Sequence, residues 1–408
     1  MYNTTTNPVR RYINEYLESD PDASFRSVSK DAVEKIKEYY DTNKVVKNGK
    51  IKPFTPFKLI EEISQQIPFN CSSRVLVFYT PEWGAYLHLF TPVLDVNITV
   101  ATTVYNQKIL ALCNMHGLKY DTLDKIADQI NKGEIMKFDV IVGNPPFQSE
   151  KRTGTQPLWP LFVEQGFKLL KPDGHLAMIT PNKWCGHTTN VIKGKIKLYR
   201  DRFRGKLTYC NIQECSKHFP GVGGYADCFS YFVINNAGST KFTAVTKSGK
   251  FVVNSDQFEF LPINYLSPLA SSILKKVKTN NTFNFKQVSV GFENSNSGAV
   301  VISMAQRLHY DTLNIYYDKN SSFTATSKST VSGVTSTNSS QEIIDSIFRS
   351  KLFKFLHKIF WNNDNFGTTF YNSLPFLDIS KKWSDEEIFN YFKLSKSEVE
   401  YIDKILSS

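Results

Sequence analysis

The sequence predicts an α/β protein whose first large domain is a doubly wound, mostly parallel sheet. Short apolar runs rich in β-branched residues alternate with segments of helical apolar spacing between residues 55 and 181. One of these runs, 138–143, is apolar enough to be buried on both faces, as a central parallel strand is. The composition shifts toward Asn, Ser, Thr, Lys and Phe after residue 238, which predicts a second, α+β domain. We therefore expect an N-terminal helical arm over 1–45, the α/β domain over 46–237, and an α+β domain ending in helices over 238–408.

The elements of the α/β domain follow from local patterns. Thr55 and Pro56 open an amphipathic helix, with threonine as the expected N-cap and proline at the first helical position. Strands are predicted at 74–79, 96–101, 118–121, 138–143, 175–181 and 228–234. Helices are predicted at 80–87, 108–115 and 158–170, and Lys171-Pro172-Asp173-Gly174 predicts a turn.

Charge and cysteine usage narrow the class of protein. The chain of 408 residues has 49 Lys and Arg against 38 Asp and Glu, a net charge of +11, which favours a polyanionic partner, although solubility alone could account for it. The six cysteines lack the paired spacing of a zinc site, so no metal is expected. Without a signal peptide or an apolar run near membrane length, the sequence predicts a soluble cytoplasmic protein.

The strand 138–143 ends in Asn144-Pro145-Pro146-Phe147, and this stretch carries the chemistry. Two prolines cannot continue a ladder, so the strand must deliver Asn144 to the carboxyl edge of the sheet, where ligands bind in open α/β sheets. The Asn144 side chain and the Pro145 carbonyl offer two acceptors, and Phe147 offers a flat apolar face. This set suits a planar ring with an exocyclic amino group. The alternative is a strand, a Pro-Pro turn and a buried phenylalanine.

The Asn-Pro-Pro-Phe motif resembles the catalytic motif of S-adenosylmethionine-dependent amino-methyltransferases, above all the gamma-class N6-adenine DNA enzymes of type II restriction-modification systems and phages. The following helix, Pro-Asp-Gly turn and strand ending in Thr180-Pro181-Asn182 resemble the same family. The resemblance implies a Rossmann-like methyltransferase sheet and a C-terminal target-recognition domain. By it, Asn144, Pro145 and Pro146 form the catalytic motif that holds the adenine amino group, and Phe147 stacks on a flipped base.

The same resemblance implies S-adenosylmethionine as cofactor. A Thr-Pro helix precedes the first strand in that class, so Thr55 and Pro56 are candidate cofactor contacts, with a plain N-cap as the alternative. The usual glycine-rich loop after the first strand is degenerate here, and an acidic residue is missing after the second strand. The remaining candidate cofactor residues are Tyr79, Glu82, Gly84, Thr102, Asp121 and Asn144.

Candidate DNA contacts lie beyond the catalytic strand. Residues 193–206 are strongly basic and would neutralise phosphates, unless they are only the solvated face of an amphipathic helix. By resemblance, Phe219 lies against the flipped base opposite Phe147. Double-stranded DNA is the expected partner, and a restriction endonuclease partner and the oligomeric state stay open. The candidate DNA-binding side chains are Phe147, Phe219, Lys193, Lys195, Lys197, Arg200, Arg202 and Arg204.

The second domain offers fewer signals. The Ser/Thr-rich stretch 321–340 predicts a flexible loop, and Ser384 and Ser395 predict the N-caps of two terminal helices that pack on the body. The sequence thus predicts a site-specific adenine DNA methyltransferase. Two alternatives remain open. One is a DNA-binding protein on a methyltransferase fold that has lost cofactor affinity, and the other is an enzyme acting on another amino group, in RNA, cytosine or a protein glutamine.

Overall fold

A computed structural model describes most of the chain after residue 45. The described residues are 46–47, 50–51, 55–69, 72–90, 97–115, 117–147, 157–185, 198–212, 218–219, 229–246, 248–254, 261–262, 264–279, 281–293, 297–303, 315–325, 330–336, 338–360 and 368–408. The predicted N-terminal arm lies outside them. The chain divides into two compact units, Met1–Pro181 with Gly205–Phe242, and Asn182–Arg204 with Thr243–Ser408. The expectation that they are a catalytic and a target-recognition domain stays a prediction.

The first unit is built from alternating strands and helices. In chain order its described elements are β1 (Val46–Lys47), β2 (Lys50–Ile51), α1 (Phe57–Ser64), β3 (Arg74–Phe78), α2 (Pro81–Phe90), β4 (Asn97–Thr102), α3 (Gln107–Met115), β5 (Lys119–Thr122), α4 (Leu123–Asn131), β6 (Phe138–Gly143), α5 (Trp159–Leu169), β7 (Leu170–Pro181), β8 (Leu207–Asn211) and β9 (Phe229–Asn235). The predicted strands and helices of this unit are found within a few residues of these bounds.

Seven strands described in this unit form one sheet in the order β8, β9, β7, β6, β3, β4, β5. From β7 to β5 all neighbours are parallel, whereas β9 is antiparallel to both β7 and β8. The chain winds outward from β3 to β5 and then, from β6, in the opposite direction. Right-handed crossovers place the helices of the two halves on opposite faces. The predicted doubly wound α/β class is therefore confirmed, and the strand order reverses between β3 and β6.

The central strands are apolar because both faces of the sheet are covered. In β3 every residue after Arg74 is buried, and in β6 only Asp139 is not. That carboxylate accepts hydrogen bonds from the Arg74 backbone N–H at 2.8 Å and from Lys171 Nζ at 2.5 Å. The pairing satisfies the one charged side chain of β6 at the end of the sheet opposite the Asn-Pro-Pro motif.

The predicted turn at Lys171–Gly174 is wrong as a break between helix and strand. β7 begins at Leu170, directly after α5, and pairs with Phe138 before the turn sequence and with Val140 from His175 onward. The Pro-Asp-Gly residues are accommodated as an irregularity inside a continuous strand, where a bulge keeps the ladder on both sides of it.

The second unit has an antiparallel sheet and a helical core. Its described elements are a 3₁₀ turn (Asn182–Cys185), a π-helical turn (Tyr199–Phe203), α6 (Pro268–Val277), α7 (Gln341–Phe348), α8 (Lys351–Phe360), α9 (Thr368–Tyr371), α10 (Asp385–Tyr391), α11 (Lys396–Ser407), and the strands β11 (Gly249–Asn254), β12 (Phe285–Val288), β13 (Ala299–Ser303), β14 (Ile315–Asp318) and β15 (Thr330–Thr335). The remaining strand, β10 (Lys241–Thr246), contains the division between the units.

The prediction of a flexible loop over 321–340 is wrong for residues 330–335. β15 lies inside that stretch and pairs with β12 on one side and β13 on the other, at the centre of a four-stranded sheet. Threonine and valine favour extended backbone, and this preference outweighs the polar composition. The two predicted helix starts are confirmed, since Ser384 and Ser395 both form capping boxes with a glutamate three residues later.

No helix in the described part of the chain is long and apolar enough to cross a lipid bilayer.

Candidate active site

The end of β6 lies at the point where the strand order reverses. The register aligns Ala101 of β4, Phe78 of β3 and Gly143 of β6 in one row across the sheet. The residues that follow this row, Thr102, Tyr79 and Asn144, therefore emerge at the same carboxyl edge. This is the crevice in which open α/β sheets bind ligands.

Gly143 allows β6 to approach β3 closely at that edge. A Cβ built on Gly143 would lie 2.7 Å from both Phe78 Cβ and the Phe78 carbonyl oxygen, far inside contact distance. Any side chain at this position would push the strand ends apart. The glycine thus fixes where the Asn-Pro-Pro-Phe segment leaves the sheet.

Asn144 is half-buried, and one end of its amide is engaged. Its Nδ2 donates to Thr55 Oγ1 at 3.3 Å. No other hydrogen bond of this side chain, and none to the Pro145 carbonyl, is found within the described residues. Among the described residues, neither Asn144 Oδ1 nor the carbonyl oxygen of the buried Pro145 has a hydrogen-bond donor, and their role as a pair of acceptors stays a prediction.

Thr55 is not the helix N-cap that the sequence suggested. Pro56 takes the cap position of α1 without a side-chain cap, and its carbonyl accepts from the N–H groups of Leu59 and Ile60. Thr55 itself is buried, and its backbone N–H donates to Glu82 Oε1 at 3.0 Å. The Thr55 hydroxyl also interacts with the Glu82 carboxyl and thereby lowers the pKa of that carboxyl. Three predicted site residues are thus connected in series, Glu82 to Thr55 to Asn144.

Glu82 carries an unusual carboxyl. It lies in the first turn of α2 with only 4% of its surface exposed. Burial raises its pKa from 4.5 to about 7, against the opposing effect of its hydrogen bonds from Thr55 and from its own backbone. Near neutral pH this group therefore changes charge in the immediate surroundings of Asn144.

An aromatic cluster borders the motif. The rings of Phe147 and Phe229 lie 5.2 Å apart, and those of Phe219 and Phe229 lie 5.5 Å apart. Phe147 is half-buried, whereas Phe219 and Phe229 are buried. The predicted pair, Phe147 and Phe219, is thus brought together through Phe229, which sequence reasoning missed. Its only local signal is an aromatic residue at the start of β9.

A second carboxylate, Glu62 of α1, lies beside this aromatic cluster. It accepts hydrogen bonds from the Tyr231 hydroxyl and, at 3.5 Å, from Asn211 Nδ2, and its Oε2 lies 3.3 Å from His218 Nε2. The interaction with His218 and the two donors hold the pKa of Glu62 down at about 2, although burial opposes them. Because His218 precedes Phe219, the carboxylate ties that segment to α1. Sequence reasoning missed this cluster as well.

The turn after β3 is strained at Tyr79. This residue has a φ of 64°, a left-handed conformation that costs a non-glycine residue free energy and often marks functional sites. Its hydroxyl bonds the Thr103 hydroxyl and accepts from the Thr103 N–H at 2.7 Å. Its ring lies edge-on to Phe162 at 5.4 Å. Tyr79 and Thr103 therefore form a fixed polar edge on the β4 side of the crevice.

Two of the predicted cofactor residues, Thr102 and Gly84, are engaged within the fold itself. Thr102 is fully buried, and its hydroxyl donates to the Val104 carbonyl and bonds the Tyr120 hydroxyl, each at 2.7 Å. Gly84 lies inside α2, where a Cβ would meet Leu118 Cδ1 at 2.8 Å. Gly84 thus allows α2 to pack closely against Leu118. The Thr102 hydroxyl is used for hydrogen bonds inside the fold.

Asp121 and the basic segment complete the predicted set. Asp121 pairs with Ala101 in the β4–β5 register, and its carboxylate forms an ion pair with Lys125 at 2.7 Å. Lys193, Lys195 and Lys197 lie outside the described residues. The remaining basic residues belong to the second unit, where Arg200 forms an ion pair with Asp201 at 2.6 Å; they are Arg200, Arg202 and Arg204.

Comparison with known families identifies the segment that holds this site. Residues 89–202 match the family model of the Eco57I restriction-modification methylase, and Asn144 to Phe147 fall within the match. This segment of the chain is similar to a restriction-modification methylase domain. The family resemblance predicted from the Asn-Pro-Pro-Phe motif is thereby confirmed.

One relative of this segment matches only part of the chain. An "Uncharacterized adenine-specific methylase" of Mycoplasma pneumoniae is 32% identical over 124 residues, which is 28% of this chain and 28% of that protein. The chain thus matches little more than a quarter of that relative's length.

Solved structures similar to this chain include two restriction enzymes and an O-methyltransferase. The type IIG restriction endonuclease BpuSI is 10% identical with a TM-score of 0.38, over 87% of this chain and 61% of that one. The M protein of the type I restriction enzyme EcoKI is 13% identical with a TM-score of 0.35, over 87% and 72%. An O-methyltransferase from Bacillus cereus in complex with SAH is 15% identical with a TM-score of 0.32, over 55% and 99%.

Proposed function

We propose that this protein transfers a methyl group from S-adenosylmethionine to the N6 amino group of adenine in double-stranded DNA, at a specific sequence and with the target base flipped out of the helix. The observation that carries the proposal is the position of two acceptors without a donor among the described residues, Asn144 Oδ1 and the Pro145 carbonyl, at the reversal point of the sheet. The restriction-modification methylase domain and the likeness to an adenine-specific methylase support it.

The acceptors suit an amino group that must become a nucleophile. An aromatic amine is flat because its nitrogen lone pair is delocalised into the ring. Hydrogen bonds from both N–H groups to Asn144 Oδ1 and the Pro145 carbonyl favour a pyramidal nitrogen, whose lone pair is then free to attack carbon. The proton released afterward leaves from nitrogen, so no strongly basic side chain need touch the base.

The aromatic cluster suits the flat base itself. Phe147 is half-buried and follows the acceptors directly in the chain; its ring packs against Phe229, which in turn packs against Phe219. Stacking on such a ring stabilises an extruded base by about 1–3 kcal/mol, enough to offset part of the cost of unstacking it from DNA. The ring also keeps water away from the reacting nitrogen.

The polar edge at the ends of β3, β4 and β5 fits S-adenosylmethionine. Its ribose hydroxyls and adenine amino group need acceptors and donors, which Tyr79, Thr103 and Asp121 offer there. Those three residues are at least partly exposed, whereas Thr55, Glu82 and Thr102 are buried. Gly84 serves packing, and the Pro56 carbonyl accepts hydrogen bonds within α1. Thr55, Pro56, Glu82, Gly84 and Thr102 are therefore less direct candidates than the sequence suggested. When bound, the cofactor supplies a methyl group on a sulfonium, which needs no activation by the protein.

Transfer of labelled methyl groups to unmethylated duplex DNA tests the proposal. We expect the parent protein to label DNA and the Asn144→Ala variant to lose at least about 100-fold in kcat, since one positioned polar group at a reacting centre contributes that much. Lys132→Ala, at an exposed position after α4, is the matched control and should retain activity. An Asn144→Ala protein as active as the parent would refute the proposal.

A protein that binds DNA without catalysis is the second candidate, because the glycine-rich cofactor loop is degenerate and Gly84 serves packing. Calorimetry separates the two. Heat on titration with S-adenosylmethionine is expected for the enzyme, whereas DNA binding without any heat up to millimolar cofactor would favour the second candidate.

A further inference from the structure

Glu82 has no part in the chemistry derived above, yet it is buried two hydrogen bonds from the reacting centre. We propose that Glu82 is a positioning residue, which acts through the Thr55 hydroxyl to hold the Asn144 amide with its oxygen toward the target amino group. This inference rests on the proposed function and adds to it the group that sets the orientation of the catalytic amide.

The protons on each group determine how these three residues bond. An ionised carboxylate can only accept hydrogen bonds. It accepts the Thr55 backbone N–H at 3.0 Å. The Thr55 side chain also lowers the pKa of this carboxyl, which it does when its hydroxyl proton points toward the carboxylate. With its proton directed at Glu82, the hydroxyl can only accept a further hydrogen bond, so its partner on Asn144 must be a donor. Asn144 Nδ2 is that donor, at 3.3 Å, so Oδ1 is left facing the crevice.

Protonation of Glu82 removes this constraint. A neutral carboxyl can donate to the Thr55 oxygen, and the hydroxyl proton is then free to point at Asn144. The amide can now turn so that Oδ1 accepts from Thr55 and Nδ2 faces the crevice. A donor would then meet the donor N–H groups of the target amine, which removes an attraction and adds a repulsion. The ionised form of Glu82 is therefore the active one.

The surroundings of Glu82 allow both forms near neutral pH. Burial raises its pKa to about 7, and no lysine, arginine or histidine of the described residues is among the groups that shift it. Cys113 of α3 is the titratable group that senses its charge, and burial raises the pKa of that thiol to about 12. The thiol stays neutral throughout, so Glu82 is the group that changes charge there. Activity should rise with pH through about 7.

This role differs from the cofactor contact that the sequence suggested for Glu82. With 4% of its surface exposed and its oxygens engaged by Thr55, the carboxyl has little left to offer a ligand. A cofactor contact would change KM for S-adenosylmethionine, whereas a positioning role changes kcat. The two roles therefore separate in steady-state kinetics.

The test compares pH profiles of kcat on unmethylated duplex DNA of mixed sequence. Glu82→Gln has the shape of the protonated form, because its amide can donate to the Thr55 oxygen at every pH. We expect kcat at pH 8 to fall about 10- to 100-fold, the pH step near 7 to disappear, and KM for S-adenosylmethionine to change less than about 2-fold. The exposed Glu134→Gln is the matched control and should keep both the rate and the step.

Threonine variants test the same chain of hydrogen bonds without touching the buried carboxyl. Thr55→Ser keeps the hydroxyl and should retain the rate and the pH step. Thr55→Val keeps the shape but lacks the hydroxyl, and should lose as much kcat as Glu82→Gln. The double variant Glu82→Gln with Thr55→Val should be no slower than either single variant, because all three break one connection.

The outcomes distinguish this inference from the proposed function. If the parent protein and Asn144→Ala both fail to methylate DNA, the proposed function fails and the inference falls with it. If the parent is active and Asn144→Ala is not, but Glu82→Gln and Thr55→Val keep the parent's rate and pH step, the proposed function stands and the inference alone is overturned. A raised KM for S-adenosylmethionine with kcat unchanged would equally overturn it, since Glu82 would then contact the cofactor.

Discussion

Two glutamates near the site have opposite environments. Glu82 is buried and has a pKa raised to about 7, whereas Glu62 is half-exposed beside His218 and has a pKa lowered to about 2. Burial outweighs the hydrogen bonds at Glu82, whereas at Glu62 the interaction with His218 and the other hydrogen bonds outweigh burial. The pH dependence of folding should therefore show both groups, in different windows and with opposite sign.

Glu82 should destabilise the fold as pH rises. Its folded pKa lies above the ordinary value of 4.5, so the folded state resists ionisation that the unfolded state allows. The free energy of unfolding should fall by about 3 kcal/mol between pH 4.5 and 7, then stay level. Glu82→Gln should lack this component, which urea denaturation of both proteins across that range would measure. Parallel pH curves for the two proteins would contradict the prediction.

Glu62 should act in the opposite direction and at lower pH. Its folded pKa lies below its unfolded value, so its contribution is complete above pH 4.5 and is lost as pH falls toward 2. Because Glu62 is partly exposed, solvent screens its interactions and reduces their contribution to stability. We therefore expect Glu62→Gln to lower the free energy of unfolding at pH 7 by about 1–2 kcal/mol. The difference between variant and parent should shrink in denaturation at pH 3. A difference independent of pH would show that charge is not the cause.

These contacts explain why sequence reasoning found the residues at the sheet edge but not their connections. Asn144, Thr55 and Glu82 were each singled out from local motifs, yet the bonds that join them span 89 and 27 positions. The Glu62 cluster spans up to 169 positions. No local pattern signals such a bond, because its cause is the meeting of elements in the folded chain.

At the scale of elements, the ends of β3 and β6 lie so close together that only glycine fits at position 143. Strand positions were predictable because β-branched apolar runs bounded by Pro, Gly and Asn have few other stable arrangements. Details inside the strands were not, as the bulge at Lys171–Gly174 and the strand β15 in a Ser/Thr-rich stretch demonstrate. In both, pairing with neighbours outweighed a local preference for turn or loop.

Gly143→Ala should damage both stability and activity. Its new methyl group would lie 2.7 Å from the Phe78 backbone, which cannot move without shifting β3. We expect a loss of about 1–3 kcal/mol in unfolding free energy and a marked fall in kcat, because Asn144 would move with the strand end. Thermal denaturation and methyl transfer measure the two effects.

Gly84→Ala is the matched comparison. The methyl group there would meet the far end of the flexible Leu118 side chain, which can turn away, and alanine favours helix by about 1 kcal/mol over glycine. Stability should therefore change by less than about 1 kcal/mol. Equal loss of stability from the two substitutions would contradict the argument that Gly143 faces rigid backbone whereas Gly84 faces a flexible side chain.

At the scale of the whole molecule, the excess of basic residues favours a polyanionic partner. The net charge of +11 was readable from the sequence, but the basic segment 193–206 is described only from residue 198. The helical face of that segment is apolar, since Leu198, Tyr199 and Phe203 are buried. Its arginines are the part from which a DNA contact can be tested.

Replacement of Arg200, Arg202 and Arg204 by glutamine should weaken DNA binding and its salt dependence together. For every phosphate that the variant no longer neutralises, the slope of log K against log salt decreases by about 0.9. Fluorescence anisotropy between 50 and 200 mM salt would measure it, with the double variant Lys125→Gln and Lys132→Gln, which removes two positive charges on α4 and just after it, as the control. A slope identical to that of the parent would show that these arginines do not bind DNA.

Identification of the methylated nucleoside tests the central claim most directly. Duplex DNA lacking methylation would be incubated with S-adenosylmethionine and the parent protein, digested to nucleosides and analysed by mass spectrometry, with Asn144→Ala in parallel. The predicted result is N6-methyl-2′-deoxyadenosine with the parent protein and none above background with the Asn144→Ala variant. Methylated cytosine, or methyladenine formed equally by both proteins, would contradict the proposed chemistry.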